Sequence, residues 1–544
     1  MKGASSDPIS RVLSWLVLAA AGSVGACSGP SGGGAGGDDA GAGGTSGMSA
    51  SGAPQATSSG GASSGSTGSS ASGSASSGGA SGSRPGDSGS SSGSTSDAGA
   101  DSGSPNCSPP ATAPANANCS PPAPPSSGDS VTLDMAVAQG APTHRASGFI
   151  YGIAQDGSEP PNSTLADIKI RSLRVGGAQI GCPSGGYVNG QYTARWNAVK
   201  AYYAKAKAID AKVLLLVHDL WGADGACNVP HYPGDGGDWT QYTSFLSQVI
   251  SDAQANGMTG PDVRWELWNE PDLSIFWKGT QAQWLEMWKR GYTQVRAAIA
   301  DAVFEGPSVA TGPGGSWASA FLDYVKTNNV VPDYMSWHEE GGGNDPVSDA
   351  NTMTAALSKR SITVKGYDAN EYGTTSEQNP GHSAWFIARL ERANIDGLRG
   401  NWGQGGGLYA GMADLVTSSW QPNSQWWIYK RYADQTGLRT SATAGNQVDA
   451  VAYQDACAAK AIVVVGNKGG VTGSVNVVVK NVPAWLQGAA TTKVVLERMP
   501  AGNGALSAPI VISSSPVMVT CNTLTLTIDW TTATDGYVVT LTPM

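Results

Sequence analysis

The sequence predicts an α/β protein: a (β/α)8 TIM barrel followed by an antiparallel β-sandwich domain. Three observations lead there. Short β-rich runs alternate with helical patterns from residue 147 to 404. The alternation makes eight β-then-α units, the number that closes a barrel. Past residue 437 the helical patterns give way to alternating β runs split by turn residues.

The chain begins, however, with something else. Residues 1–27 read as a lipoprotein-type signal peptide. Lys2 and Arg11 precede an apolar run too short for a comfortable membrane span, and it ends in the small residues of "VGAC", which resembles a bacterial lipobox with Cys27 as the lipid-bearing residue. The protein is therefore expected outside the cytoplasm, secreted or held to a membrane only through a lipid on Cys27. Residues 28–127 are rich in Gly, Ser, Ala and then Pro, with too little apolar surface to offset chain entropy, and are expected to form a disordered tether. Its Gly/Ser part, as a flexible coil, would span roughly 50 Å.

The barrel is expected over residues 128–437. Its strand candidates are 147–154, 170–177, 212–219, 262–270, 302–311, 333–340, 362–373 and 397–403. Runs such as "VLLLV" suit parallel strands covered on both faces. Helices are read at 192–210, 238–257, 280–300, 316–329, 381–396 and 423–436. In 280–300 the residues Trp284, Trp288, Tyr292, Val295 and Ile299 form a stripe at helical spacing, and Thr280 with Gln283 resembles a capping box. The glycine-rich "RVGGAQIGCPSGG" matches neither a dinucleotide fingerprint nor a phosphate loop. Residues 438–544 form the predicted sandwich, to which 130–137 could add a strand.

A net charge of −10 argues against a nucleic-acid partner. With Cys27 set aside, six cysteines remain, an even number that suggests disulfides in an exported chain. Neighbour pairing, 107–119, 182–227 and 457–521, keeps each bridge inside one segment. No cluster of His, Cys and carboxylates has metal-ligand spacing, so neither a metal nor a cofactor is expected.

In a barrel the working residues lie at the carboxyl ends of the strands. Glu270, in "WELWNEPD", ends the fourth strand, and Glu371, in "YDANEYG", ends the seventh. Those strands lie across the ring from each other, so the two carboxyls can face one another over the mouth. Glycosidic cleavage needs such a pair, one to protonate the departing oxygen and one to attack the anomeric carbon or activate water. Asn269 can hydrogen-bond a sugar 2-hydroxyl, and Pro271 fixes the turn without needing a ladder donor. Glu339 and Glu340 are rival nucleophiles, whereas Glu266 reads as a buried hydrogen-bonding group lower in the barrel.

"WELWNEP", "NEYG", the His of "SWHEE" and the trailing sandwich resemble the clan A retaining glycoside hydrolases, most of all family 39, the β-xylosidase and α-L-iduronidase family. The resemblance spans roughly residues 130–544, with only the short motifs specific. It implies Glu270 as general acid/base, Glu371 as nucleophile, Asn269 as 2-hydroxyl partner and Arg174 as the cation that keeps the nucleophile ionised. The chain departs from the family in lacking a Tyr directly after His338. Substrate-binding candidates are His218 and His338 at strand ends, Trp402 on strand eight, which resembles the tryptophan beneath the donor sugar in clan A enzymes, and Trp221 in the loop after strand three. The 18 Trp against 6 Phe suit stacking on sugar rings.

The function expected is that of a monomeric retaining hydrolase of extracellular oligo- or polysaccharide, with β-linked substrates favoured and carbohydrate as the partner. Transglycosylation of surface glycans is the enzymatic alternative. A non-catalytic carbohydrate-binding lipoprotein and a structural surface protein are the others, which retention of both acids disfavours.

Overall fold

The computed structural model describes residues 119–120 and 128–544, except 183–184, 226, 342, 401–411, 413 and 489. The signal segment, Cys27, nearly all of the tether, Cys107 and Trp402 lie outside the described residues.

The first described strand, β1 (Asp129–Ala138), precedes the barrel. Eight strands follow: β2 (Gly148–Ile150), β3 (Ser172–Val175), β4 (Lys212–Leu216), β5 (Val263–Glu266), β6 (Val303–Val309), β7 (Tyr334–Glu339), β8 (Gly366–Tyr372) and β9 (Asp396–Arg399). They pair in parallel and in sequence order, and β9 returns to β2 to close the ring. Most are shorter than their sequence patterns suggest. The third run, for instance, ends at Leu216 and continues as a short helix, Val217–Trp221, so His218 stands on a helical turn rather than a strand.

Outside the ring, the predicted helices appear within a few residues of their expected limits, and Pro346–Lys359 adds one that apolar spacing alone did not reveal. That helix has clear end signals: the Asp345 side chain accepts from Val347 N at 3.0 Å, and Pro346 occupies the first turn. The stripe on Gln281–Ala298 is real. Trp284 and Trp288 are buried, with Trp288 edge-on to Phe321 at 4.9 Å. Its predicted capping box is only half formed. Thr280 Oγ1 accepts from Gln283 N at 3.1 Å, while the Gln283 amide reaches away to Pro233 O at 2.8 Å and Asp235 at 2.9 Å.

The remaining strands are β10 (Leu438–Thr443), β11 (Val448–Asp455), β12 (Lys460–Asn467), β13 (Gly473–Lys480), β14 (Thr491–Met499), β15 (Ile510–Met518), β16 (Leu524–Trp530) and β17 (Gly536–Pro543). With β1 they make one nine-stranded, mostly antiparallel sheet, in which β1 lies between β10 and β13 and runs parallel to β13. Alternate residues of β1, β11, β12, β13 and β17 bury a valine-rich core distinct from that of the barrel.

The placement of β1 also decides the disulfides. Cys182 pairs with Cys227 as expected, but Cys119 pairs with Cys521, 402 residues away, and not with Cys107. Cys457, expected to hold Cys521, is disulfide-bonded but not to it. Because β1 is an inner strand of the C-terminal sheet, the segment before it belongs with that sheet, and sequence neighbours lose out to spatial ones.

Barrel and sheet meet along helix Pro380–Ala393. Glu391, buried there, accepts from Thr143 Oγ1 at 2.8 Å, from Arg439 Nη1 at 2.6 Å and from the Tyr432 hydroxyl. Asp449 of β11 receives both Arg389 and Arg392 from the same helix. Removing one partner from such a buried network leaves an uncompensated charge. Glu391→Ala is therefore expected to cost about 3 kcal/mol in urea unfolding. A loss indistinguishable from zero would show that the apolar contact alone joins the two parts.

Candidate active site

Three barrel strands, and the segment leaving one of them, converge through one guanidinium. Arg174, buried on β3, spans the barrel interior. Its Nε and Nη2 bond the two oxygens of Glu266 on β5, each at 2.6 Å, and Nη2 also reaches Asn269 Oδ1 at 2.5 Å. Nη1 bonds Glu371 Oε1 on β8. A planar fork of donors suits this task in a way that a lysine point charge would not. Glu266 is thus the lower, structural carboxylate, and Asn370 Nδ2 bonds it as well at 3.0 Å.

Local irregularities aim the other groups. Trp337 pairs with Ala369 but His338 pairs with Glu371, so β8 holds an extra residue and turns both Asn370 and Glu371 inward. Strand β5 ends at Glu266, and residues 267–270 leave it as an irregular segment. Glu270 there takes a left-handed backbone, φ 39°, held by its N–H bonding Ser308 O at 2.9 Å. That conformation costs a non-glycine residue roughly 1–2 kcal/mol, which the surrounding hydrogen bonds must offset.

The outcome is a buried acid pair. His338 Nδ1 lies 2.8 Å from Glu270 Oε1 and 3.4 Å from Glu371 Oε2. One ligand-type atom from each of these three residues lies within 4.8 Å of the others. The linear spacing of these residues gave no hint of a group compact enough to grip a cation, because they come from three strands. Burial, reinforced by Asp272, pushes Glu270 up to about 8. Burial also pushes Glu371 up, against the pull of His338 and Arg174, and it holds His338 below its ordinary value, hence neutral at pH 7. Since the guanidinium is bonded to Glu371, the pair's proton belongs on Glu270.

The rival nucleophiles are placed elsewhere. Glu339 projects from the opposite side of β7 to His338, where Trp337 Nε1 bonds it at 2.7 Å, and burial beside Asp349 holds its carboxyl well above the usual range. Glu340 lies just past the strand. Trp221, expected as a stacking platform in a loop, is instead 1% exposed on the helix Val217–Trp221. It stacks on Tyr187 and packs edge-on to Phe245 at 5.2 Å, so it belongs to the core.

His218 does belong near the site. Its Nδ1 lies 2.7 Å from Asp219 Oδ1, and it packs edge-on to Trp268 at 4.7 Å, beside Asn269. Asp219 is held in turn by the hydroxyl of Tyr151, which accepts from Gly176 N at 3.0 Å. This relay escaped the sequence reading, although "VHDLW" does put the carboxylate next to the imidazole. Both His218 Nε2 and His338 Nε2 are buried without a hydrogen-bond partner.

Residues 239–365 match the model of Glycosyl hydrolases family 39, a stretch containing Asn269, Glu270 and His338 but ending before Glu371. The fold is shared with N2152 from Neocallimastix frontalis, at 24% identity and a TM-score of 0.64 over 76% of this chain and 100% of that one. It is shared too with a monomeric β-xylosidase from Caulobacter crescentus CB15, at 14% identity and 0.53, over 77% and 100% of the two chains. A 3-O-α-D-galactosyl-α-L-arabinofuranosidase of Bifidobacterium longum subsp. longum is 27% identical over 152 residues, 26% of this chain. The match spans only 13% of that relative's length. The chain is thus similar to family 39 glycoside hydrolases over residues 239–365 and shares its fold with the structures named.

Folded Glu270 keeps its proton to about pH 8, whereas its ordinary value is 4.5, so folding takes up a proton between those limits and stability falls as pH rises through them. Glu270→Gln removes that cost. Urea unfolding is expected to find the variant more stable by on the order of 2 kcal/mol at pH 8 and equal to wild type below pH 4. A pH-independent difference would sink this account of Glu270.

Proposed function

We propose that the protein is a retaining glycoside hydrolase acting on extracellular oligo- or polysaccharide. The observation that carries the reading is the acid pair itself: two buried carboxyls with oxygens within 4.8 Å, one bonded to Arg174 and the other protonated to about pH 8. Retaining enzymes hold their carboxyls about 5–5.5 Å apart, inverting ones about 6.5–9.5 Å to admit a water.

In the first step a Glu371 oxygen bonds the anomeric carbon as the bond to the leaving oxygen breaks, and the Glu270 proton passes to that oxygen. In the second, water attacks the anomeric carbon, its proton passes to Glu270, and the ester to Glu371 breaks. Arg174 keeps Glu371 anionic at the start and end of each cycle. Asn269, oriented by Arg174, would donate through its amide nitrogen to the 2-hydroxyl. The names of its relatives support a pentoside, either a β-D-xyloside or an α-L-arabinofuranoside. Export through a lipid on Cys27 fits the two disulfides between described cysteines.

Azide rescue tests the roles. On aryl β-D-xylosides, β-D-glucosides and α-L-arabinofuranosides, Glu270→Ala with azide should give a glycosyl azide of retained configuration, and Glu371→Ala one of inverted configuration. A wild type inert on all of them and on polysaccharides would overturn the reading. The kcat/KM profile should fall above pH about 8, where Glu270 loses its proton. Asp272→Asn, which removes a charge that favours that proton, should move this limb to lower pH.

A further inference from the structure

Among the described residues near the mouth of the barrel, Gln179 stands apart. Its side-chain Oε1 and Nε2 both lack a hydrogen-bond partner, although the residue is only 1% exposed. Buried amides in folded proteins almost always have partners, so an amide empty at both ends asks for a ligand.

Its surroundings say which kind. Gln179 lies five residues past Arg174, beyond the carboxyl end of β3, on the face where Glu270 and Glu371 meet. Its main chain is pinned: Gln155 Nε2 donates to its carbonyl at 2.9 Å, and Ile180 N bonds Gly177 O at 2.9 Å to close the turn. The preceding Ala178 N donates at 3.3 Å to the Tyr151 hydroxyl, the same group that bonds Asp219 and so fixes His218. The backbone is therefore held while the amide is left unfilled, and the relay through Tyr151 and Asp219 joins its neighbour Ala178 to His218, whose Nε2 is empty as well.

We propose that Gln179 is a specificity-determining residue that reads two adjacent hydroxyls of the substrate sugar. Its Nε2 donates to one hydroxyl oxygen and its Oε1 accepts from the neighbouring hydroxyl, a match for a vicinal diol that a single hydroxyl cannot satisfy. The substrate class is then a glycan whose bound sugar carries two free neighbouring hydroxyls on the side facing β2 and β3. A sugar substituted at either is refused, because the amide would be left buried and unpaired. This rests on the glycosidase reading above and refines it.

The test uses the full chain and the aryl glycoside it cleaves best, together with the monodeoxy analogues of that sugar. Gln179→Met keeps length and volume while losing both polar atoms. It should lower kcat/KM on the parent about 10- to 100-fold. Wild type should lose a similar factor on the analogue lacking a hydroxyl that Gln179 reads, and on that analogue the variant should lose no more than about twofold further. Gln179→Ala, checked for an unchanged unfolding midpoint, should reproduce the pattern if methionine disturbs the packing. Equal losses on every analogue, or no loss on the parent, would overturn the proposal while leaving the hydrolase reading intact. A wild type silent on all parent glycosides would overturn both.

Discussion

The site is organised around the buried ion pair between Arg174 and two carboxylates. A guanidinium inside a barrel is tolerable only if its charge is matched and its donors are filled, since unpaired burial costs several kcal/mol. Glu266 fills one edge of the fork from below, and Glu371 and Asn269 take the rest from above. One side chain thereby fixes Glu371, the Asn269 amide beside Glu270 and the Glu266 floor beneath them. The same charge separates the two acids, because it favours the ionised form of the partner it touches and leaves the proton to the other.

The backbone departs from ideal geometry at the points where this arrangement demands it. The extra residue in β8 lets Asn370 and Glu371 both face inward, which a regular strand with side chains alternating between faces forbids. The left-handed Glu270 and the left-handed Ser308 beside it belong to the same adjustment, linked by the bond from Glu270 N to Ser308 O. Strain of this kind is stable only inside a framework that over-determines it. The framework here includes the lower barrel, where Arg264 joins Glu305, Asp368 and Asp396.

The second sheet contributes at a distance. Its core is separate, yet helix Pro380–Ala393, which follows β8, is covered by β11 and β12 and tied to β11 through Asp449. Strand β1 belongs to that sheet although it precedes the barrel, so the chain must run through the whole barrel to β13 before its first described strand has partners on both sides.

Much of this was legible in the linear chain, for identifiable reasons. Alternation of β runs with helical stripes is a local signal, and it gave eight units and the sheet beyond them. "WELWNEPD" and "NEYG" mark strand exits, so Glu270, Asn269 and Glu371 could be named, along with Arg174 opposite them. What sequence could not decide depended on register, burial and chain return. Register turned Asn370 inward and Glu339 outward. Burial moved Trp221 from a sugar platform to the aromatic core, and it left the amide of Gln179 empty. Chain return joined Cys119 to Cys521. The sequence by itself determined which residue types reach the mouth of the barrel, because period and turn signals are properties of neighbouring residues. Only the tertiary structure decided which of them touch and where the proton resides, because contact and desolvation are set by groups distant along the chain.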